Sequence, residues 1–306
     1  VSGETDTQAR RALSTRTEIH LYLVNDAAVA AETLSACRNI VSPAEHRRLE
    51  RFHTAHDQRQ GLVTRALLRT VLSRYRPTIY PRDWSFEVNA YGRPAIATDL
   101  NAQLFFNLSH SRGMIALLIA EDSEIGVDVE WRDRAVDAVE LADEVFARVE
   151  TSDLQSLVPS RQRDRFFDLW TLKEAYTKAR GMGLSIPLSD IAFRFGENGH
   201  LTTTFAQSLA DTPLRWRFWS LGNASGFSLA VAAAAAGPAP NIRIFEVCWT
   251  TAGLNPRRIS SGTMAFCDAP GTRPATRLRC DLGTSEGGRL MSKQTSVVIV
   301  ASVPIL

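Results

Sequence analysis

The chain reads as an α+β protein with an internal pseudo-repeat, and three observations predict it. Helical and extended patterns come in blocks rather than in strict alternation, which argues against a parallel βαβ sheet. The extended segments are short, apolar or alternating, and separated by turn sequences such as YGRP, as in antiparallel sheets. The order of helices followed by strands also occurs twice, and no shorter repeat is visible.

The elements follow in order. Residues 1–17 are polar and read as a disordered or loose N-terminal segment, and EIHLYLV at 18–24 is the first strand. SPAEHRRLERF opens a helix, with Ser42 as cap, Pro43 in the first turn and Glu45 completing a capping box. A second helix spans about Asp57 to Arg74, burying Val63, Leu67, Val71 and Leu72 and placing Arg65 and Arg69 together on another face. Strands are expected at WSFEV, LFFNLSHS, MIALLIA and IGVDVEW. Helical character returns over 137–180 and stops at GMGLSIP. IAFRF, LRWRFWSL, FSLAVAA and IRIFEV are further strands. Beyond Val247 the chain is rich in Gly, Pro, Ser, Thr and Arg without a sustained period, so 247–306 is expected to be a flexible extension.

Composition narrows the class. With 306 residues, 44% hydrophobic and 22% charged, the chain can bury a sizeable core. A net charge of +2 does not point to a nucleic-acid partner, but the segment from Arg38 to Arg76 holds nine arginines against Glu45, Glu50 and Asp57. That local excess suits an anionic partner, or a solvated helix face. The four cysteines form no C-x-x-C pair, so neither a zinc site nor a disulfide framework is signalled and a cytoplasmic setting is the simplest expectation. The N-terminal residues lack the apolar core of a signal peptide, and SVVIVASVPIL is too short to span a bilayer as a helix.

Chemistry concentrates in two segments. In the strand SEIGVDVEW, Gly126, Asp128 and Glu130 share one face, so two acids point the same way and need water, a basic side chain or a divalent cation as compensation. In FFDLWTLKEAYTKARG, Phe166, Trp170, Glu174 and Lys178 recur every four residues. By itself a Glu–Lys pair at that spacing is an ordinary surface feature. Phe166 and Trp170, however, carry the stripe toward the core and Glu174 with it. Asp128, Glu130 and Glu174 then converge as oxygen ligands suited to Mg²⁺, and NLSHS, Arg93 and the arginine-rich segment offer an anion cradle beside them. The Walker, dinucleotide, nucleophile-elbow and zincin motifs are absent.

GVDVE (126–130) and WTLKEAYTK (170–178) resemble the G-[IV]-D-[IV]-E strand and W-x-x-K-E-[AS]-x-x-K helix of the Sfp-type 4′-phosphopantetheinyl transferases. YGRP, with arginine for the usual lysine, and FNLSHS resemble two further motifs of that family, in the same order. The resemblance covers roughly residues 18–246. It implies two similar subdomains, here 18–132 and 133–246, in a pseudo-two-fold monomer with coenzyme A and Mg²⁺ between them. The implied reaction moves the 4′-phosphopantetheine arm of coenzyme A onto a serine of an acyl, peptidyl or aryl carrier protein, releasing adenosine 3′,5′-bisphosphate. The implied metal ligands are Asp128, Glu130 and Glu174. Glu174 is the favoured general base, assisted by Lys178, although Glu130 or a metal-bound water could take the proton instead. Coenzyme A is expected to be held by Arg48, Arg65, Arg69, Arg93, Ser109, His110 and Asp128, with Lys173 and Lys178 nearby. A catalytically silent coenzyme A or nucleotide-binding protein is the alternative, but such a relative would tend to lose one of Asp128, Glu174 or Lys178. A basic nucleic-acid module would predict none of the four motifs. No membrane partner is expected.

Overall fold

The computed structural model describes residues 18–196, 201–221, 226–235 and 237–259. The proposed loose segment 1–17, and residues 260–306 of the expected extension, lie outside them.

The first half begins with β1 (Glu18–Asn25), then α1 (Ala31–Arg38), α2 (Pro43–Leu49) and the long α3 (Ala55–Tyr75). A small hairpin of β2 (Phe86–Val88) and β3 (Pro94–Ile96) follows, then β4 (Phe105–Ser111) and β5 (Met114–Ala120). The second half repeats this order: β6 (Ile125–Trp131), α4 (Ala138–Val145), α5 (Arg148–Ser156), α6 (Pro159–Arg180), the hairpin β7 (Ile191–Phe195) and β8 (Leu201–Phe205), then β9 (Trp216–Ser220) and β10 (Phe227–Ala234). Two final strands, β11 (Asn241–Thr250) and β12 (Gly253–Ile259), return to the first half. Among the described residues the main sheets have the orders β12-β11-β1-β5-β4 and β6-β10-β9, so β1-β5-β4 and β6-β10-β9 are equivalent threesomes. The expected α+β class with duplicated halves is what the chain forms.

Local chemistry explains the boundaries. Ser42 accepts the amide of Glu45 while Glu45 accepts that of Ser42, which closes the capping box with Pro43 in the first turn. Gly181 ends α6 in the left-handed conformation, φ 65°, which glycine adopts without a side-chain penalty. Arg112 and Gly113, both at positive φ, make the two-residue turn from β4 to β5.

The two sheets pack against each other through one face each. Ile19, Leu21, Leu23, Ala116 and Leu118 meet Val127, Val129, Leu229 and Val231 in a core between the halves. Their other faces are covered by α3 and α6 respectively, so MIALLIA is apolar at every position because it is buried on both sides. The opposite face of β6 carries Gly126, against α6. A Cβ on Gly126 would sit 1.9 Å from the Ala175 carbonyl oxygen and 2.6 Å from the Ala179 nitrogen. Gly126 therefore makes room for helix backbone.

Two strand pairings cross the expected boundaries. β6, within the expected 18–132 subdomain, pairs along its length with β10 of the second half. A strand read in sequence cannot declare its partner, and only the ladder assigns it to the second half. The fold also continues past 246: β11 pairs in parallel with β1 and antiparallel with β12 out to Ile259. Val247, Trp249 and Leu254 are buried in the first half's core, although Pro256 and the exposed arginines of β12 hide the strand signal in sequence. As an edge strand, β12 tolerates that composition.

A chain ending at Glu246 is expected to lose about 5 kcal/mol or more against one ending at Ile259, from the burial of these three side chains, and a denaturant titration of both forms checks it. Gly126→Ala should cost about 3 kcal/mol or more, because the new methyl meets main chain that cannot rotate away; an unshifted unfolding midpoint would show that the helix can lift.

Candidate active site

Asp128 and Glu130 project from β6 toward α6, where Glu174 and Lys178 stand one helical turn apart. Lys178 Nζ lies 2.6 Å from Asp128 Oδ1 and donates to Ser109 Oγ at 2.9 Å. Ser109 donates its own proton to Asp128 Oδ1 at 2.8 Å and accepts the Val129 amide at 3.3 Å. The Glu130 carboxylate accepts from Ser111 Oγ at 3.1 Å and lies 3.8 Å from Arg134. Two oxygens of the site are buried without a hydrogen-bond partner, Asp128 Oδ2 and Glu174 Oε1. Such groups are costly to leave unsatisfied, and both belong to carboxylates on facing elements.

The electrostatics follow from this crowding. Burial first, then the charge of Asp128, push Glu130 and Glu174 up to about 7, with Lys178 opposing in both cases. His110 moves the other way, down to about 4, through burial and then the nearby Lys178 charge. It is therefore neutral at physiological pH. Among the described residues no three-residue set of His, Cys, Asp or Glu stands at ready-made metal spacing.

Several of the expected cofactor ligands are paired with protein groups. Arg65 and Arg69 are buried against Glu45, with N–O distances of 3.2 and 2.9 Å, and Arg69 also donates to the carbonyls of Pro81, Arg82 and Trp84. They join α2 to α3. Lys173 is fully buried, paired with Glu150 at 2.6 Å and donating to the carbonyls of Leu188 and Ile191. It fastens α6 to α5 and β7, on the side of the helix away from the carboxylates. Arg93 lies across Gly181 and donates to the Ala179 carbonyl at 2.8 Å, which satisfies the C-terminus of α6. These placements share a cause: a long cation finds the nearest buried acceptor, and its sequence neighbours do not reveal which one that is. The single proton of Ser109 is given to Asp128, so this serine holds protein groups in place. Arg48 is exposed on α2 beside Arg65.

Three side chains around the site have roles the sequence reading did not assign, two of them within the NLSHS segment read as part of an anion cradle. Asn107 accepts the Val127 amide at 2.9 Å and Ser111 the Trp131 amide at 3.0 Å. Arg132, in the turn just past β6, pairs with Asp164 at 3.0 Å and Asp168 at 2.5 Å on α6. For Asn107 and Ser111 the sequence did hold a signal, since N-x-S-x-S places polar groups on one face of a strand that is otherwise apolar.

Two family models match the chain. One, described as the 4′-phosphopantetheinyl transferase superfamily, covers residues 124–233; the other, described as 4′-phosphopantetheinyl transferase, N-terminal, covers 29–123. Their junction falls at the turn between β5 and β6. A 4′-phosphopantetheinyl transferase of Bacillus subtilis is 32% identical over 176 residues, 58% of this chain and 70% of the relative. The transferase ffp of Bacillus subtilis is 30% identical over 209 residues, 68% of this chain and 89% of the relative. The transferase HetI of a Nostoc species is 31% identical over 56% of this chain and 73% of its own length. A crystal structure of a holo-(acyl-carrier-protein) synthase from Bacillus anthracis in complex with CoA (3′,5′-ADP) overlays 37% of this chain and 96% of that one, at 20% identity and a TM-score of 0.31.

The raised carboxyl of Glu174 makes a signed prediction. Its protonated form is favoured by folding, so the stability it contributes is complete below about pH 4.5 and is lost as the pH rises through about 7. Glu174→Gln, which fixes a neutral side chain, should therefore melt higher than the parent at about pH 8 and equally at about pH 4, as thermal unfolding at the two pH values will show.

Proposed function

The chain belongs to the 4′-phosphopantetheinyl transferase family and is a transferase; from that premise we propose that it moves the phosphopantetheine arm of coenzyme A onto a serine of a carrier protein, using the carboxylates and lysine between β6 and α6. The observation that carries the reading is the meeting of Asp128, Glu174 and Lys178 from two separate elements, with carboxylate oxygens of Asp128 and Glu174 buried and unpartnered.

The residues fit a hard divalent cation. Unpartnered oxygens on Asp128 and Glu174, and a third carboxylate at Glu130 held near neutrality, are a donor set that Mg²⁺ would satisfy. Asp128, Glu130 and Glu174 would hold it, and it would supply charge neutralisation on the pyrophosphate of coenzyme A. Lys178 places a second positive charge beside the same phosphates, positioned by Asp128 and Ser109. The carrier serine oxygen bonds to the β-phosphorus, and the bond from that phosphorus to the oxygen bridging to the nucleotide breaks. The electron pair leaves with adenosine 3′,5′-bisphosphate. Glu174, with its carboxyl near 7, is matched to accept the serine proton at physiological pH. The exposed arginines around Arg48 give the first half a basic surface for an acidic partner.

The deciding experiment incubates the full chain with coenzyme A, Mg²⁺ and a set of apo acyl, peptidyl and aryl carrier proteins, read by mass. One phosphopantetheine mass on at least one carrier is expected, and no gain on any of them beside a working control enzyme would defeat the proposal. Glu174→Gln should lower kcat by about a hundredfold with little change in KM for coenzyme A. A raised Mg²⁺ requirement at unchanged kcat would instead make Glu174 a ligand only. The rate of the parent enzyme should rise with pH through about 7.

A further inference from the structure

β6 is an edge strand of its sheet, yet both its neighbouring surfaces are buried. Its outward amides at Val127, Val129 and Trp131 face β4, the edge strand of the other sheet, and no backbone ladder joins the two. Buried amides must find acceptors. Here the acceptors are side chains: Asn107 Oδ1 for Val127, Ser109 Oγ for Val129 and Ser111 Oγ for Trp131, at 2.9, 3.3 and 3.0 Å. Each pair is separated by the same 20 residues, so the strands run in step. The two serines then spend their protons on the carboxylate just before the amide they hold, Ser109 on Asp128 and Ser111 on Glu130, each 19 residues away.

We propose that Asn107, Ser109 and Ser111 form a side-chain ladder that replaces backbone pairing between the halves and sets the position of the Asp128 and Glu130 carboxylates. Asn107 and Ser111 are thus positioning residues for the reaction, acting through β6. The chemistry accounts for the residue types. A hydroxyl can accept an amide and donate to a carboxylate at once, whereas opposite Gly126 there is no carboxylate to serve and an amide oxygen suffices. A backbone ladder would satisfy the same N–H groups but could not orient the acids, and second-layer hydrogen bonds of this sort govern how well carboxylates hold a metal or a proton. This inference rests on the transferase reading for its kinetic consequence only; the ladder itself is independent of it.

The test uses the full chain with Asn107→Ala, Ser111→Ala and Ser111→Thr. Amide hydrogen exchange resolved by NMR should quicken about tenfold or more at Val127 in the first variant and at Trp131 in the second. Leu118 in β5 should stay within about threefold of the parent, and the threonine variant should restore Trp131. In carrier modification, Ser111→Ala should lower kcat about tenfold with KM for coenzyme A within about threefold, and Ser111→Thr should recover most of that loss. Unchanged exchange at both amides, a threonine variant no better than alanine, or a change confined to KM would each overturn the proposal. If the parent transfers nothing, the transferase reading fails, while the exchange measurements still decide the ladder.

Discussion

The close approach of α6 to β6 at Gly126 is the constraint on which the site depends. With helix backbone where a Cβ would otherwise stand, the next positions on the same face of β6 are brought against the following turn of α6. Asp128 then reaches Lys178, and Glu174 loses its water without gaining a partner for Oε1. A wider spacing would hydrate these groups and leave an ordinary surface Glu–Lys pair. The high carboxyl of Glu174 is therefore a packing consequence before it is a catalytic property.

Keeping α6 in that position takes several unrelated contacts. Arg93 closes its C-terminus, Arg132 pairs with Asp164 and Asp168 nearer its N-terminus, and Lys173 ties its far side to Glu150. Buried ion pairs are poor sources of net stability, since desolvation offsets much of their attraction. They are effective at fixing register, because any slip leaves an uncompensated charge inside the protein. These cations thus hold the helix whose residues face the site.

The duplicated architecture explains why the site sits where it does. Each half buries one sheet face under its own long helix and the other against its twin. β6 is the strand at which these layers meet: apolar toward the first half, acidic toward α6, and edged by the polar residues of β4. A single strand with three chemically different sides is an economical place to assemble groups from both halves.

Much of this was present in the amino-acid order. Period-two alternation placed Asp128 and Glu130 on one face, period-four recurrence placed Glu174 and Lys178 on one stripe, and capping and turn residues marked the helix at Pro43 and the stop at Gly181. These are local rules, enforced by backbone geometry whatever the tertiary context. The sequence could not say which acid each cation would meet. Arg65 and Arg69 stand four apart on a helix whether they bind phosphate or Glu45, and Lys173 looks no different from Lys178. It could not assign β6 to the second half or keep β12 in the sheet, because strand pairing joins residues up to hundreds of positions apart. Those choices were made by packing, which alone decides how near two charges come and how little water lies between them.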